Sequence, residues 1–210
     1  MTDNWSDRSN APQNTYNFHE GEYGPAMLDR THVLTINYTY TLPFARKSRG
    51  FVGAVARGWE VSGITRFMTG LPNTATATGV DPAGLGILGP SAAGPRPDMT
   101  CDPNAAAPHS FLQWFNTSCF PKVPDGQVRP GNEGRGVIRG PGSQIWDFSM
   151  YKNFALTERF TLQLRGESFN TLNHANPSGF ASLVNTSSLF GRIGSFREPR
   201  IIQVAAKLYF

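Results

Sequence analysis

Five stretches of the chain alternate apolar and polar residues with a period of two, and that pattern constrains the fold more than any other feature. In the last of them, RIIQVAAKLYF, Ile202, Val204, Ala206, Leu208 and Phe210 share one parity, against Gln203, Ala205, Lys207 and Tyr209 on the other. Successive side chains of a strand point to opposite faces, so each stretch reads as a strand with two unlike sides. The strands are expected near 31–44, 57–70, 143–155, 158–171 and 200–210. Leu34, Ile36, Tyr38, Tyr40 and Leu42 carry the apolar parity of the first, and Trp59, Val61, Thr65 and Phe67 carry that of the second, with Ile64 as an apolar intruder on the other side. Trp146, Phe148, Met150 and Phe154 mark the third, and Phe160, Leu162 and Leu164 mark the fourth.

The connections between these strands alternate in length. Those at 44–57 and 155–157 are short, whereas 71–142 and 171–199 are long and rich in Gly, Pro, Ala, Asn and Asp. Outer-membrane barrels have short turns on the periplasmic side and long loops outside, with aromatic residues girdling the wall. Phe44 and Trp59 flank one short turn, and Phe154 and Phe160 flank the other. The expected fold is therefore all-β, an antiparallel transmembrane β-barrel fragment of about five strands with long extracellular loops. Strand one runs inward and strand five brings Phe210 to the periplasmic rim. The weakly alternating FGRIGSF at 190–196 is assigned to the second long loop.

Composition agrees. A hydrophobic fraction of 39% with 22 Gly and 16 Pro among 210 residues indicates β structure with extensive turns. The net charge of +4 is scattered, and its densest cluster, RKSRG at 46–50, reads as a solvated turn, so no nucleic-acid partner is expected. No apolar run reaches the ~20 residues of a transmembrane helix, a test that leaves barrels untouched. The first 14 residues lack the features of a signal peptide.

The chemistry-bearing residues form no recognised catalytic or metal motif. His19, His32, His109 and His174 are dispersed, and no cofactor, metal or enzymatic activity is expected. GLGILG at 84–89 matches a dinucleotide fingerprint but lacks the strand before and the helix after that would present amides to a pyrophosphate. Cys101 and Cys119 lie in the first long loop; an exported chain pairs them as a disulfide, a cytosolic one keeps two free thiols. Gln163, Arg165 and Glu167 are expected to face water in a lumen, where they contact solute or plug or simply pair with each other. Trp114, Phe115 and Phe120 read as loop anchors rather than ligand contacts.

Longer phrases carry a family likeness. DRTHVLTINYTYTLPF, GWEVSGITRFMTGLP, WFNTSCF, GRGVIRGPGSQIWDFSMYKNF, FTLQLRGESFNTLNHANP and FGRIGSFREPRIIQVAAKLYF, in that order, resemble the last part of large TonB-dependent receptors of the Oar-like group, which carry a carboxypeptidase-regulatory-like domain. The likeness runs from about Tyr16 to Phe210. It implies a C-terminal barrel segment in a Gram-negative outer membrane, surrounded by lipid. Its partners are the missing N-terminal barrel and plug, and TonB through that plug, with active uptake of an unidentified solute as the function. Ile202, Val204, Ala206, Leu208 and Phe210 resemble the signal read by the barrel assembly machinery. Five strands cannot close a barrel, so the segment is expected to be incapable of transport alone. A soluble, secreted β-sandwich acting as a carbohydrate-binding or adhesive module is the alternative, with apolar faces against each other and not against lipid.

Overall fold

The computed structural model describes residues 13, 14, 16, 17, 22–44, 47, 49–78, 81–84, 86 and 94–210. His19, parts of RKSRG and most of GLGILG lie outside the described residues. The chain divides into two compact units. One comprises His32–Met68, Ser143–Asn176 and Arg197–Phe210, and the other comprises Met1–Thr31, Thr69–Gly142 and Pro177–Phe196.

The first unit is a five-stranded antiparallel sheet. Its long strands are β1 (Val33–Thr41), β2 (Trp59–Met68), β5 (Ser143–Ala155), β6 (Thr161–Phe169) and β9 (Ile201–Tyr209), hydrogen-bonded in that order with β1 and β9 at the edges. Each falls within a segment whose alternation forecast it. At 9 to 13 residues, they match the roughly 9 to 11 that a tilted strand needs to cross a bilayer. Register locks the parities together: Leu34 lies opposite Phe67, Val61 opposite Met150, Phe154 opposite Leu162, and Leu162 opposite Leu208. A slip of one residue in any strand would move its apolar set to the other face.

The stretch after β1 is not a plain turn but holds a seven-residue helix, α1 (Gly50–Ala56), whose single buried residue is Gly53. Its seven residues are too few for a helical period to stand out in the sequence.

The second unit is not loop alone. It carries two small two-stranded sheets, β3 (Pro72–Asn73) with β4 (Ile138–Arg139) and β7 (Pro177–Phe180) with β8 (Ile193–Phe196). The assignment of 190–196 wholly to loop is thus corrected at Ile193–Phe196. Alternation was weak there because the strand has four residues and its pairing with β7 is irregular. Phe115, Phe120, Cys119, Ala75 and Ile138 form a buried core. Phe115 meets Phe120, Phe180 and Phe190 edge to face at 5.8, 5.6 and 5.2 Å. Burying aromatic rings supplies the stabilisation that a chain so rich in Gly and Pro draws little of from backbone ladders.

Candidate functional site

Facing residues across the sheet sort into two chemically distinct surfaces. The apolar surface is continuous from Leu34, Ile36, Tyr38 and Tyr40 on β1 to Ile202, Val204, Ala206 and Leu208 on β9. Val204 is 83% and Ile202 67% exposed, so this surface is bare. Tyr38 lies over Gly63, its register partner, where an added Cβ would also stand 2.7 Å from the carbonyl oxygen of Asp147. Gly63 is therefore a place where the ring needs the absence of a side chain. Phe67 and Trp146 pack edge to face at 5.7 Å on the same surface.

The opposite surface is a lattice of polar pairs. Arg66 Nη2 reaches Asp147 Oδ2 at 3.4 Å, and the hydroxyls of Ser62 and Ser149 meet at 2.7 Å. Gln163 Nε2 donates to Asn153 Oδ1 at 2.9 Å, Arg165 Nη1 lies 3.6 Å from Glu167 Oε1, and Gln203 Nε2 donates to Glu167 Oε2. Arg165 also stacks over Tyr151 at 5.3 Å. Gln163, Arg165 and Glu167 thus lie on the polar face, each paired with a neighbour. Partly exposed pairs of this kind contribute little to stability individually.

Lys152 breaks the apolar parity of β5. It is 2% exposed, and its Nζ donates to the carbonyls of Ala54 at 2.5 Å, Val55 at 2.8 Å and Arg57. These are the carbonyls left unpaired at the end of α1, where a cation is favoured. Trp59 Nε1 adds a bond to Val55 O at 3.0 Å, and Phe154 stands 4.8 Å from the ammonium. Asn170 and Asn176, also unforeseen, tie the β6 exit. Asn170 sits at φ 48°, a left-handed conformation that Asn tolerates, and its side chain bonds to both amide and carbonyl of His174. His174 Nδ1 lies 3.2 Å from Asn176 Oδ1, a structural contact.

In the second unit, Cys101 and Cys119 form a disulfide. Around the same core runs a buried ionic cluster with no local signature in the chain, since its members are up to 113 positions apart. Arg96 Nη2 meets Glu22 Oε1 at 2.5 Å, and Arg135 Nη2 meets Glu22 Oε2 at 3.0 Å. Glu133 is fully buried, accepts the Ala75 amide at 2.7 Å, and has Oε2 without a hydrogen-bond partner. Burial pushes its carboxyl up to about 8, against the pull of the Ala75 amide and the Arg96 charge. Asp98 is the reverse case: a two-pronged bond from Arg129, at 2.7 and 2.6 Å, holds its carboxyl below the usual range. A concavity of about 410 Å³ opens beside Asn73, Thr76, Arg135, Phe180 and Val184, within the size range of small-molecule sites. Phe115 and Phe120 are core residues, and His109 meets Trp114 edge to face at 5.1 Å. Among the described residues no cluster of His, Cys, Asp and Glu is placed to hold a metal ion.

A sheet with one bare apolar face, one face of paired polar side chains and strands of membrane-crossing length defines a wall built for a bilayer. A family model for an outer membrane beta barrel domain matches residues 1–203, and the chain belongs to that family, which places it in the outer membrane. No curated protein and no solved structure matches it. The soluble β-sandwich alternative gives way to this assignment. A sandwich needs a second sheet against the apolar face of the first, and the described strands of this unit form one sheet.

Proposed function

We propose that the chain is the C-terminal segment of an outer-membrane TonB-dependent receptor that actively takes up a solute, and that it is not an enzyme. The observation that carries the reading is the pair of unlike faces kept in register through all five strands. The apolar face meets lipid, and the polar face, with Gln163, Arg165 and Glu167, lines the lumen and meets a plug. Both long insertions leave the sheet at one end, after Met68 and after Phe169, as extracellular loops do. Solute contact falls to the concavity beside Arg135. Ile202, Val204, Ala206, Leu208 and Phe210 act as the assembly signal.

The edges support the further point that these strands do not transport alone. In hydrocarbon, an open edge leaves backbone groups unpaired at several kcal/mol each, so β1 and β9 require additional strands. Energised uptake makes the reading testable in the source bacterium. Spent media of the parent and of a strain deleted for the whole reading frame are compared by mass spectrometry, with and without a protonophore. A solute removed by the parent alone, and only while the proton gradient stands, is the expected outcome. If every difference between the strains survives the protonophore, active transport is the wrong assignment.

A further inference from the structure

We propose that α1 is a membrane foot: a short helix that leaves the barrel wall on its lipid side and rests in the headgroup region of the inner leaflet of the outer membrane. The proposal rests on the lipid assignment of the apolar face made above.

Three observations place it there. Lys152 and Trp59 both belong to the apolar face and both bond to carbonyls at the C-terminal end of α1, so the helix is fastened to that side of the wall. Gly53 is its one buried residue. Phe51, Val52 and Val55, spaced to share the opposite face, are 83%, 63% and 44% exposed. Water is a poor environment for such a face, whereas the wall it continues is already apolar.

The flanking charges name the occupant. Lys47 and Arg49 precede α1 and Arg57 follows it, with no acidic residue in its first turn. Cations bracketing an exposed apolar helical face suit a surface of anionic phospholipid, with apolar side chains at the acyl boundary and long basic side chains reaching the headgroups. α1 lies in the connection between β1 and β2, one of the two short ones, which in this family of folds faces the periplasm.

Spin-label accessibility tests the foot. The full polypeptide that carries this sequence, purified from the outer membrane, is returned to vesicles of phosphatidylethanolamine and phosphatidylglycerol. Single labels are placed by Val52→Cys, by Val204→Cys on the apolar face, and by Glu158→Cys in the other short turn, leaving the native disulfide oxidised. Power saturation with oxygen, which partitions into lipid, and with a water-soluble nickel chelate gives each site an accessibility ratio. A ratio at Val52 several-fold above that at Glu158, alongside a lipid-like Val204, is the expected result. A lipid-like Val204 with an aqueous Val52 overturns the foot and leaves the wall assignment standing. Val52 shielded from both reagents means a protein covers the helix, which also overturns it. A Val204 that is not lipid-like removes the face assignment and the foot with it.

Discussion

The side chain of Asn170 brackets His174, accepting a bond from its amide and donating one to its carbonyl, both at 3.0 Å. The same amide group reaches the carbonyl of Glu198 at 3.2 Å, and the Asn170 backbone amide is held by Asp147 Oδ1 at 3.0 Å. One buried residue thus fixes the exit of β6 and the approach to β9. Asn170→Ala should destabilise the sheet by about 2 to 4 kcal/mol, through lost bonds and because Ala tolerates the left-handed conformation less well than Asn does. Asn170→Gly relieves the second term alone and should fall between Ala and the parent. Urea unfolding of the bilayer-inserted protein measures the order, and equal losses for Ala and Gly would deny the backbone contribution.

That residue shows where sequence reading stops. The strands were legible because lipid on one side and water on the other impose a period of two on every strand, and register then aligns all five. Lys152 violates the period and carries meaning only once the end of α1 lies beside it. The core of the second unit joins Phe115 to Phe180, and its ionic cluster joins Glu22 to Arg135. Neither pairing leaves a local pattern, because chain topology rather than periodicity brings the partners together. The cysteines were legible only on the condition of export, which makes a disulfide of two thiols in one loop.

Glu133 gives the second unit a pH dependence of definite sign. Folded, its carboxyl holds a proton up to about pH 8, against an ordinary value of 4.5. The stability this group contributes is therefore fully present below about 4.5 and is lost as pH rises through about 8. Asp98, lowered by Arg129, works oppositely and weakens the unit only as pH falls through its depressed value. Glu133→Gln mimics the protonated acid and should be more stable than the parent at pH 9 by about 2 to 4 kcal/mol, with little difference at pH 5. Thermal unfolding at the two pH values decides it; parallel pH profiles would show that Glu133 is ionised in the folded state.

The disulfide between Cys101 and Cys119 closes a loop with a sequence separation of 18, and Cys119 is itself in the buried aromatic core. Restricting the unfolded chain by a loop of that size contributes roughly 3 kcal/mol in the chain-entropy model. Cys101→Ser with Cys119→Ser should accordingly lower the unfolding midpoint of the second unit while leaving the strand signal of the sheet in place. Limited proteolysis should then cut first within residues 94–132, and an unchanged cleavage pattern would mean that the Phe115 core holds the loop without the bridge.

Lys152 offers the sharpest test of how the wall and α1 are joined. Its ammonium serves three carbonyls while standing among the rings of Trp59 and Phe154, at 5.8 and 4.8 Å, so the charge is compensated by dipoles and π faces. Lys152→Met keeps most of the apolar stem but leaves those carbonyls without their donor, and hydrogen bonds to a charged group contribute about 1.5 to 3 kcal/mol. The main effect should be local, because the ladder between β2 and β5 does not depend on that side chain. Hydrogen exchange should therefore speed up at the α1 amides in Lys152→Met and remain slow along β2 and β5. Lys152→Arg should restore only part of the protection, since a planar fork cannot direct donors to three converging carbonyls as an ammonium does. Exchange that accelerates equally in α1 and in both strands would mean that Lys152 supports the whole sheet, and its placement at the helix end would then be incidental.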